Sequence, residues 1–458
     1  MGDFMKDKTT YTNAKEVVGQ LNQAGYEAYF VGGFVRNHVM GIADTQDFDI
    51  CTSATPDEIK QVFRKTINTG LRHGTVTVLH GGDDFEVTTY RIDGAYTDHR
   101  RPDDVTFTTN LYDDLKRRDF TFNAMAMGLD GELIDPFNGR DDLHDQVIRA
   151  VGDPDERFKE DPLRILRGIR FLAQLEPGFR VEEKTLEAME RQAHLLANIS
   201  VERIRIELMK MVVGVNVDAF RVAYQAGITK HFLPEFDAMM QTEQETPHHA
   251  YNVGEHTLRA MANMERDEML RLIMLLHDVG KPAKKTIGKD GVAHFWGHQE
   301  KGYHISRDIM RRLKFDNQTI VRVSHLIRYH DYPLPLTRKA ARTAMNKINI
   351  KVFPLYLKVR AADISGQSDY RQEEKQEALK TADRLYREVM ANGEATRLKE
   401  LKINGSDLIE LGFSANRKLR FTLEYLLERV IDDPSLNNRE TLLELAKEAL
   451  YQLYGGKS

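Results

Sequence analysis

The chain is 458 residues long, is 41% hydrophobic and carries a formal net charge of −5. That length suits two to four domains with buried cores, and the negative balance means any nucleic-acid partner is held by local basic patches rather than by global charge. A single cysteine, Cys51, excludes an intramolecular disulfide, and no apolar run approaches the roughly 20 residues of a membrane span, so a cytoplasmic protein without a membrane partner is expected.

Met1 to Lys8 lacks the apolar core of a signal peptide, and Lys6 stands where a myristoylation motif behind Gly2 wants Ser or Thr. Residues 11–25 have helical apolar spacing (Ala14, Val17, Val18, Leu21) and lead into a short apolar strand ending at Val31. Gly32 and Gly33 then make a turn whose backbone N–H groups can approach a bulky anion. Arg36 stands about one helical turn later, placed for phosphate oxygens. A second strand is expected to carry Asp47 and Asp49 on one face, roughly 6.5–7 Å apart. Two carboxylates so placed can hold hard cations for phosphoryl or nucleotidyl transfer. Each piece alone is commonplace, a turn or a solvated strand edge; their order within one strand–turn–helix–strand unit is what points to a site.

A helix near 56–64 follows, then strands near 75–80 and 85–90 separated by the hairpin signal Gly81-Gly82-Asp83-Asp84. Glu86, in the second of these, is a candidate third carboxylate beside the Asp pair, where a bare strand Glu would simply face solvent. The charged stretch Asp93 to Asp104 reads as a mobile loop over a site or as plain surface. Arg118 is a candidate second phosphate partner, against a helix start with Asp119 as an ordinary cap. Asp135 to Gly139 is a tight turn, with Arg149 ten residues past it, and α/β character is expected to stop near 150.

Beyond that point the pattern is helical. Pro162 suits a helix start, and Asp161, Arg164, Arg167 and Arg170, three apart, line one gently drifting side. The commonplace alternative is a surface helix with an i,i+3 ion pair. A carboxylate that accepts from the exocyclic amine of cytosine or adenine, beside a guanidinium donating to the ring nitrogen, selects C and A over U and G. Further on, His256, His277-Asp278, His298, His330-Asp331 and Asp363 sit at helix positions where they could ligate a divalent metal, as in helical phosphohydrolases, or be buried polar residues that bind nothing. Residues 371–458 are charged and helical, and Lys418, Arg420 and Arg429 are candidates for an RNA-facing surface or a solvated one.

Taken together, Gly32-Gly33…Arg36, Asp47-x-Asp49, Arg117-Arg-Asp-Phe-Thr-x-Asn123, Asp135-x3-Gly139-x9-Arg149 and Glu160-Asp161-x-x-Arg164, in this order over about residues 15–215, resemble the class II bacterial CCA-adding tRNA nucleotidyltransferases, a family shared with poly(A) polymerases, here with an HD-type domain in the body. The resemblance implies an α/β, palm-like nucleotidyltransferase head (1–150) and an all-α neck (151–215), body (216–370) and tail (371–458). It implies Asp47 and Asp49 holding Mg²⁺ with Glu86 in support, Gly33, Arg36 and Arg118 binding nucleotide from the head, and Asp161, Arg164, Arg167 and Arg170 binding it from the neck. It further implies attack of a tRNA 3′-hydroxyl on the α-phosphate of CTP twice and of ATP once, releasing pyrophosphate.

Thr69 to Val76 and Asn123-Ala-Met-Ala resemble the tRNA-processing branch, and Asp93 to Pro102 resembles the loop of enzymes that complete the terminal A. An A-adding enzyme, a poly(A) polymerase, and a metal-dependent phosphohydrolase with an RNA-binding head stay as alternatives. The HD-type segment, absent from many relatives, brings the expectation of a second divalent metal at His256, His277, Asp278 and Asp363 and a phosphohydrolase side activity. In the tail, Asn404 to Gly412 matches the family while Phe413 to Arg420 lacks the glycines usual there. A homodimer is compatible with the sequence but not specified by it.

Overall fold

A computed structural model describes residues 2–42, 47–93 and 105–454. The expected loop from Asp93 to Asp104 therefore falls, beyond Asp93 itself, outside the described residues. The chain divides into two compact units, Met1–Asp237 and Ala238–Ser458. The expected head and neck both lie in the first, and the body expected to begin at 216 straddles the division.

In the first unit, α1 (Gly2–Gln23) packs Ala14, Val17, Val18 and Leu21 wholly inward, as their helical spacing requires. Next come β1 (Ala28–Val31), α2 (Gly33–Val39), β2 (Asp49–Thr52), α3 (Pro56–Val62), β3 (Thr66–Gly70), β4 (Thr75–His80) and β5 (Asp83–Thr89). Among the described residues β6 (Arg91–Asp93) pairs only with β7 (Val105–Phe107), and α4 (Leu111–Lys116), β8 (Ala126–Met127), β9 (Leu133–Ile134), α5 (Gly139–His144) and β10 (Val147–Ile148) follow. Seven strands form one mixed sheet in the order β3-β4-β5-β2-β1-β8-β9. β1 lies antiparallel to β2 and β8, and β2 runs parallel to β5. The hairpin is tighter than its sequence signal: Gly81 and Gly82, at φ 62° and 94°, make the whole turn, and Asp83 already pairs with His80.

One expectation is corrected here. Asp47 is not on a strand: β2 starts at Asp49, because its partner β1 ends at Val31, opposite Asp49, where Gly32 (φ 68°, ψ −135°) turns the chain away. Several two- and three-residue strands, β6 to β10, were too short to show any alternation.

After the sheet the first unit is helical, with α6 (Pro154–Glu160), α7 (Leu163–Gln174), α8 (Glu183–Gln192), α9 (Val201–Val212) and α10 (Asp218–Gln225). One strand interrupts it, β11 (Arg180–Val181), which pairs in parallel with β10. Asp161 and Pro162 break α6 from α7, so Asp161 precedes the helix on which its arginine neighbours stand. At Gly168 an added Cβ would lie 2.3 Å from Met189 Cε and 2.9 Å from Phe120 Cζ, so α7 sits against its neighbours at glycine distance.

α11 (Pro234–Met240) spans the division. In the second unit come α12 (Val253–Ala262), α13 (Glu268–Leu276), a small hairpin of β12 (Thr286–Ile287) and β13 (Ala293–His294), then α14 (His298–Arg312), α15 (Asn317–Tyr329), α16 (Arg338–Ile348), α17 (Phe353–Gly366) and α18 (Gln372–Ala391). α19 (Gly405–Glu410), α20 (Arg417–Asp432) and α21 (Arg439–Tyr454) enclose a separate core built on Leu408, Leu426, Val430, Leu442 and Ala446. Arg342 on α16 fixes that core to the rest of the unit by donating from Nε to the Ile431 carbonyl at 2.7 Å. Among the described residues no helix is long and apolar enough to cross a membrane.

Candidate functional site

The start of the interior strand β2 at Asp49, the Gly32 turn and α7 of the first unit surround a cavity of about 650 Å³. Gly32, Gly33, Arg36, Asp47, Asp49, Arg118, Asp161, Arg164, Arg167 and Arg170 all line it. Residues 32 to 170 in sequence thus converge on one concave surface.

A Cβ at Gly32 would lie 3.0 Å from Asp49 Oδ2 and 3.7 Å from an Arg118 guanidinium nitrogen, in a backbone conformation that side chains rarely adopt. The bare glycine keeps open the space between a carboxylate and a guanidinium. Burial first, and then the charge of Asp47, push the Asp49 carboxyl up to about 6, with Arg118 opposing and Glu86 adding a smaller upward push. A buried carboxylate whose charged form is disfavoured, beside a second carboxylate, is the donor set a hard divalent cation prefers. Glu86 is exposed on β5, beside β2; it acts on Asp49 through its charge but does not line the cavity.

Arg36 hydrogen-bonds the amide oxygens of Asn37 (2.9 and 3.1 Å) and Asn123 (3.1 Å) rather than a carboxylate. Burial and the neighbouring Arg170 and Arg167 charges lower it to about 10. Its guanidinium lies 5.3 Å from the Phe171 ring centre and that of Arg170 lies 4.2 Å from it, so one ring supports both. Arg118 is tied to Asp114 at 3.2 Å.

Asp119 is more than the helix cap allowed for from the sequence. Its Oδ1 accepts from the Phe120 N–H and from Asn123 Nδ2, and its Oδ2 takes Arg167 Nε at 2.7 Å. Burial pushes its carboxyl up, yet Arg167 and the Asn123 hydrogen bond outweigh that and hold it at about 2. Gly139, as its tight turn requires, has its N–H on Asp135 Oδ1 at 2.8 Å, and a Cβ there would meet the Thr121 carbonyl at 2.3 Å.

Asp161 and Arg164 do not pair with each other. Asp161 Oδ1 accepts from the Leu163 N–H, and Oδ2 takes Arg203 Nη2 at 2.7 Å; Arg164 donates to Glu160 at 2.7 Å and to the Arg117 carbonyl at 2.9 Å. Arg170 pairs with Glu207 at 3.3 Å. The commonplace reading of α7, an exposed face with an i,i+3 ion pair, is thereby replaced by one whose charged side points into a cavity, with Arg164 held by Glu160, Arg167 by Asp119 and Arg170 from α9 by Glu207. Arg203, Glu207, Lys210 and Gln174 were not singled out from sequence. Nothing local marks them, since their role comes from α9 crossing α7.

The second unit gathers a different set. Gly280 and Gly366 permit it: a Cβ on Gly280 would lie 2.1 Å from the His298 carbonyl, and one on Gly366 2.9 Å from Ala260 N, so α14 and α17 close on α13 and α12. His256 Nε2 lies 3.0 Å from Asp363 Oδ1 and 3.3 Å from His277 Nε2. Asp278 Oδ2 lies 3.2 Å from His277 Nε2, and Oδ1 lies 3.4 Å from His330 and 3.5 Å from His298. The four expected residues thus come together, joined by His298 and His330; Asp331 pairs with Arg360 at 3.0 Å, and the same guanidinium pairs with Asp363 at 2.8 Å. Burial lowers His298 to about 4. Although burial opposes it, His277 and Lys281 hold Asp278 well below the usual carboxylate range.

In the tail, Asn404 caps α19 in a capping box with Asp407, and Arg420 pairs with Glu424 at 2.9 Å on an exposed face beside the largely exposed Phe421.

Three family models match the chain. They are the poly A polymerase head domain over residues 28–149, a probable RNA and SrmB-binding site of polymerase A over 178–240, and a putative tRNA nucleotidyltransferase domain 2 over 300–446. A CCA-adding enzyme of Lactobacillus helveticus is 54% identical over 204 residues, 44% of this chain and 50% of the relative. One of Enterococcus faecalis is 53% identical over 206 residues, 45% of this chain and 50% of the relative. The chain spans about half the length of the curated relatives it matches. The crystal structure of the Bacillus stearothermophilus CCA-adding enzyme in complex with CTP superposes with a TM-score of 0.71 at 29% identity, covering 98% of this chain and 99% of that one. A Thermotoga maritima CCA-adding enzyme complexed with tRNA shares the fold, with a TM-score of 0.58 at 22% identity over 95% of this chain and 94% of that one.

Proposed function

We propose that the chain belongs to the nucleotidyltransferase family of the CCA-adding enzymes and that it adds the 3′-terminal CCA to tRNA from CTP and ATP without a nucleic-acid template. One observation carries the reading: an acidic pair suited to a cation, a set of guanidinium groups suited to a triphosphate, and Asp161 with Arg164 suited to a C or A edge all line one cavity of the first unit. The relatives at about half the chain's sequence carry the same activity in their names.

In this proposal Asp47 and Asp49 hold Mg²⁺, a cation favoured by their all-carboxylate donor set. Bound there, it would offset charge on the triphosphate and on the attacking 3′-oxygen. The remaining work falls to this chain's own groups. Arg36 and Arg118 take phosphate oxygens, and Gly32 and Gly33 let the phosphate chain approach the backbone. Arg167, fixed by Asp119, and Arg170, fixed by Glu207, extend the positive wall toward the phosphates or the RNA end. Asp161 accepts from the exocyclic amine of cytosine or adenine, and Arg164 donates to the ring nitrogen beside it. Uracil and guanine set a carbonyl against the carboxylate and are rejected. Both groups already have partners, so an arriving base shares the free lone pairs of Asp161 and exchanges with a bond of Arg164. A cytoplasmic setting, where tRNA and both nucleotides meet, goes with this activity.

Three tRNA transcripts, ending before CCA, after C and after CC, given CTP, ATP or both, test the proposal. Extension of all three, stopping after one A, is the expected result. Extension of only the CC-ended transcript would make the protein an A-adding enzyme, and long A tails on unrelated RNA would make it a poly(A) polymerase.

A further inference from the structure

Asp114, on α4, is fully buried and does not line the first unit's cavity, yet its carboxylate holds three residues that do. Oδ1 accepts from Arg117 Nε at 3.0 Å, from Arg117 Nη2 at 2.7 Å and from the Arg91 N–H at 3.4 Å. Oδ2 accepts from Arg118 Nη2 at 3.2 Å. Burial pushes this carboxyl up, but Arg117 and Arg118 outweigh it and hold it below the ordinary range. The group is therefore a buried anion, out of reach of a ligand and in firm contact with the cations that face one.

The two edges of the Arg118 fork point to different places. Nη2 is taken by Asp114, whereas Nη1 lies 3.7 Å from the point where a Cβ on Gly32 would stand. Asp49 Oδ2 lies 3.0 Å from that same point. Two carboxylates thus flank one guanidinium, and Arg118 pairs with Asp114 and not with Asp49. Among the described residues its guanidinium has no other hydrogen-bond acceptor, and its Nε is buried without one. Without Asp114 so long a side chain would be free to turn onto Asp49, where it would compete with a cation.

The residues just past α4 also carry contacts to the base side. The Arg117 carbonyl accepts from Arg164 Nη2 at 2.9 Å, and Asp119 takes Arg167 Nε at 2.7 Å. What fixes this short stretch therefore sets the phosphate side and the base side in one register. We propose that Asp114 is a positioning residue for the nucleotide: it clamps one edge of Arg118, presents the other to the triphosphate beside the Gly32 turn, and leaves Asp49 to the cation. The assignment rests on the reading of Arg118 as a phosphate partner given above.

Asp114→Asn tests it on the full-length chain. The amide keeps one oxygen for the donors of Arg117 and Arg91 and sets an NH₂ against Arg118. Calorimetric titration with CTP and Mg²⁺ compares the parent, D114N, R118A and the double variant. Asp114→Asn should weaken CTP binding about ten-fold, and should add less than about two-fold once Arg118 is already alanine. An undiminished loss in the R118A background would overturn the proposal, because Asp114 would then act independently of Arg118. In single-nucleotide incorporation, D114N should raise the Mg²⁺ concentration for half-maximal activity, and Arg118→Ala in that background should reverse the rise. A rise that persists without Arg118, or no rise at all, would overturn the protection of Asp49. Should D114N not fold, Arg118→Lys, at a partly exposed position, takes its place. One ammonium can meet Asp114 or the phosphate but not both, so R118K should bind CTP about ten-fold more weakly, and parental affinity would overturn the clamp. Calorimetry does not depend on turnover, so a parent protein that bound CTP but extended no tRNA would overturn the proposed function and not the role of Asp114.

Discussion

Arg203 on α9 places Nη2 2.7 Å from Oδ2 of Asp161, so the carboxylate proposed to read a base is aimed from a neighbouring helix and not by Arg164 three residues along. A charge-assisted hydrogen bond of this kind contributes about 1.5–3 kcal/mol. Arg203→Ala should therefore lower kcat/KM for CTP roughly ten- to hundred-fold and raise UTP incorporation relative to CTP. Single-nucleotide incorporation on a tRNA ending before CCA reads both. Unchanged discrimination against UTP would mean Arg203 does not orient Asp161.

Asp47→Ala removes one of two proposed cation ligands. Incorporation of CMP and AMP should fall about a thousand-fold or more, as expected when a metal's several kcal/mol are lost. Any Mn²⁺ binding in the second unit should persist, since its ligands lie beyond residue 238. Surviving incorporation would show that the acidic pair has been misassigned.

Gly32→Ala is predicted to act twice. An alanine at φ 68° and ψ −135° costs on the order of 1–3 kcal/mol, and its Cβ, 3.0 Å from Asp49 Oδ2, intrudes where a cation or phosphate would sit. Urea unfolding should show the loss, and the Mg²⁺ concentration for half-maximal incorporation should rise. A variant as stable as the parent and with the same Mg²⁺ dependence would contradict both arguments.

Acid should weaken the first unit through Asp119. Its carboxyl titrates at about 2 in the folded chain against an ordinary value of 3.8. The folded form therefore binds fewer protons, and the contribution of about 2 kcal/mol is present above pH ~4 and is lost as pH falls through the folded value. Asp119→Asn should flatten that limb of the stability curve in urea unfolding at stepped pH. An equally steep acid limb in the variant would place the titrating group elsewhere.

The strand–turn–helix beginning at Ala28 could be read from sequence because each step has a local cause: an apolar run, two glycines and a helix start. Likewise the spacing of Arg164, Arg167 and Arg170 could be read as one side of a helix, since residues three apart stay together there, while Asp161 meets the same cavity from just before that helix. What eluded the sequence was non-local. Asp47 lies off its strand because of where β1 ends, and Asp119 holds Arg167 across 48 residues. Arg203 reaches Asp161 across 42. In the second unit the pattern showed which histidines and aspartates were unusual, but not that Asp278 stands between two imidazole pairs. That follows from Gly280 and Gly366, whose missing side chains let four helices close around it.

Among the described residues, eight arginines and one lysine against four aspartates line the first unit's cavity, in a chain whose net charge is −5. Arg36 is lowered to about 10 by burial first and then by the Arg170 and Arg167 charges, so repulsion among these guanidinium groups disfavours its charge. Each anion that enters relieves that repulsion, and so does each anion that stays. In the proposed reaction the leaving pyrophosphate would keep most of the charge the triphosphate brought, so the wall that captures substrate would also retain product. Turnover at low salt would then be governed by pyrophosphate escape, and moderate salt, by screening the wall, would speed the cycle before it begins to impair capture.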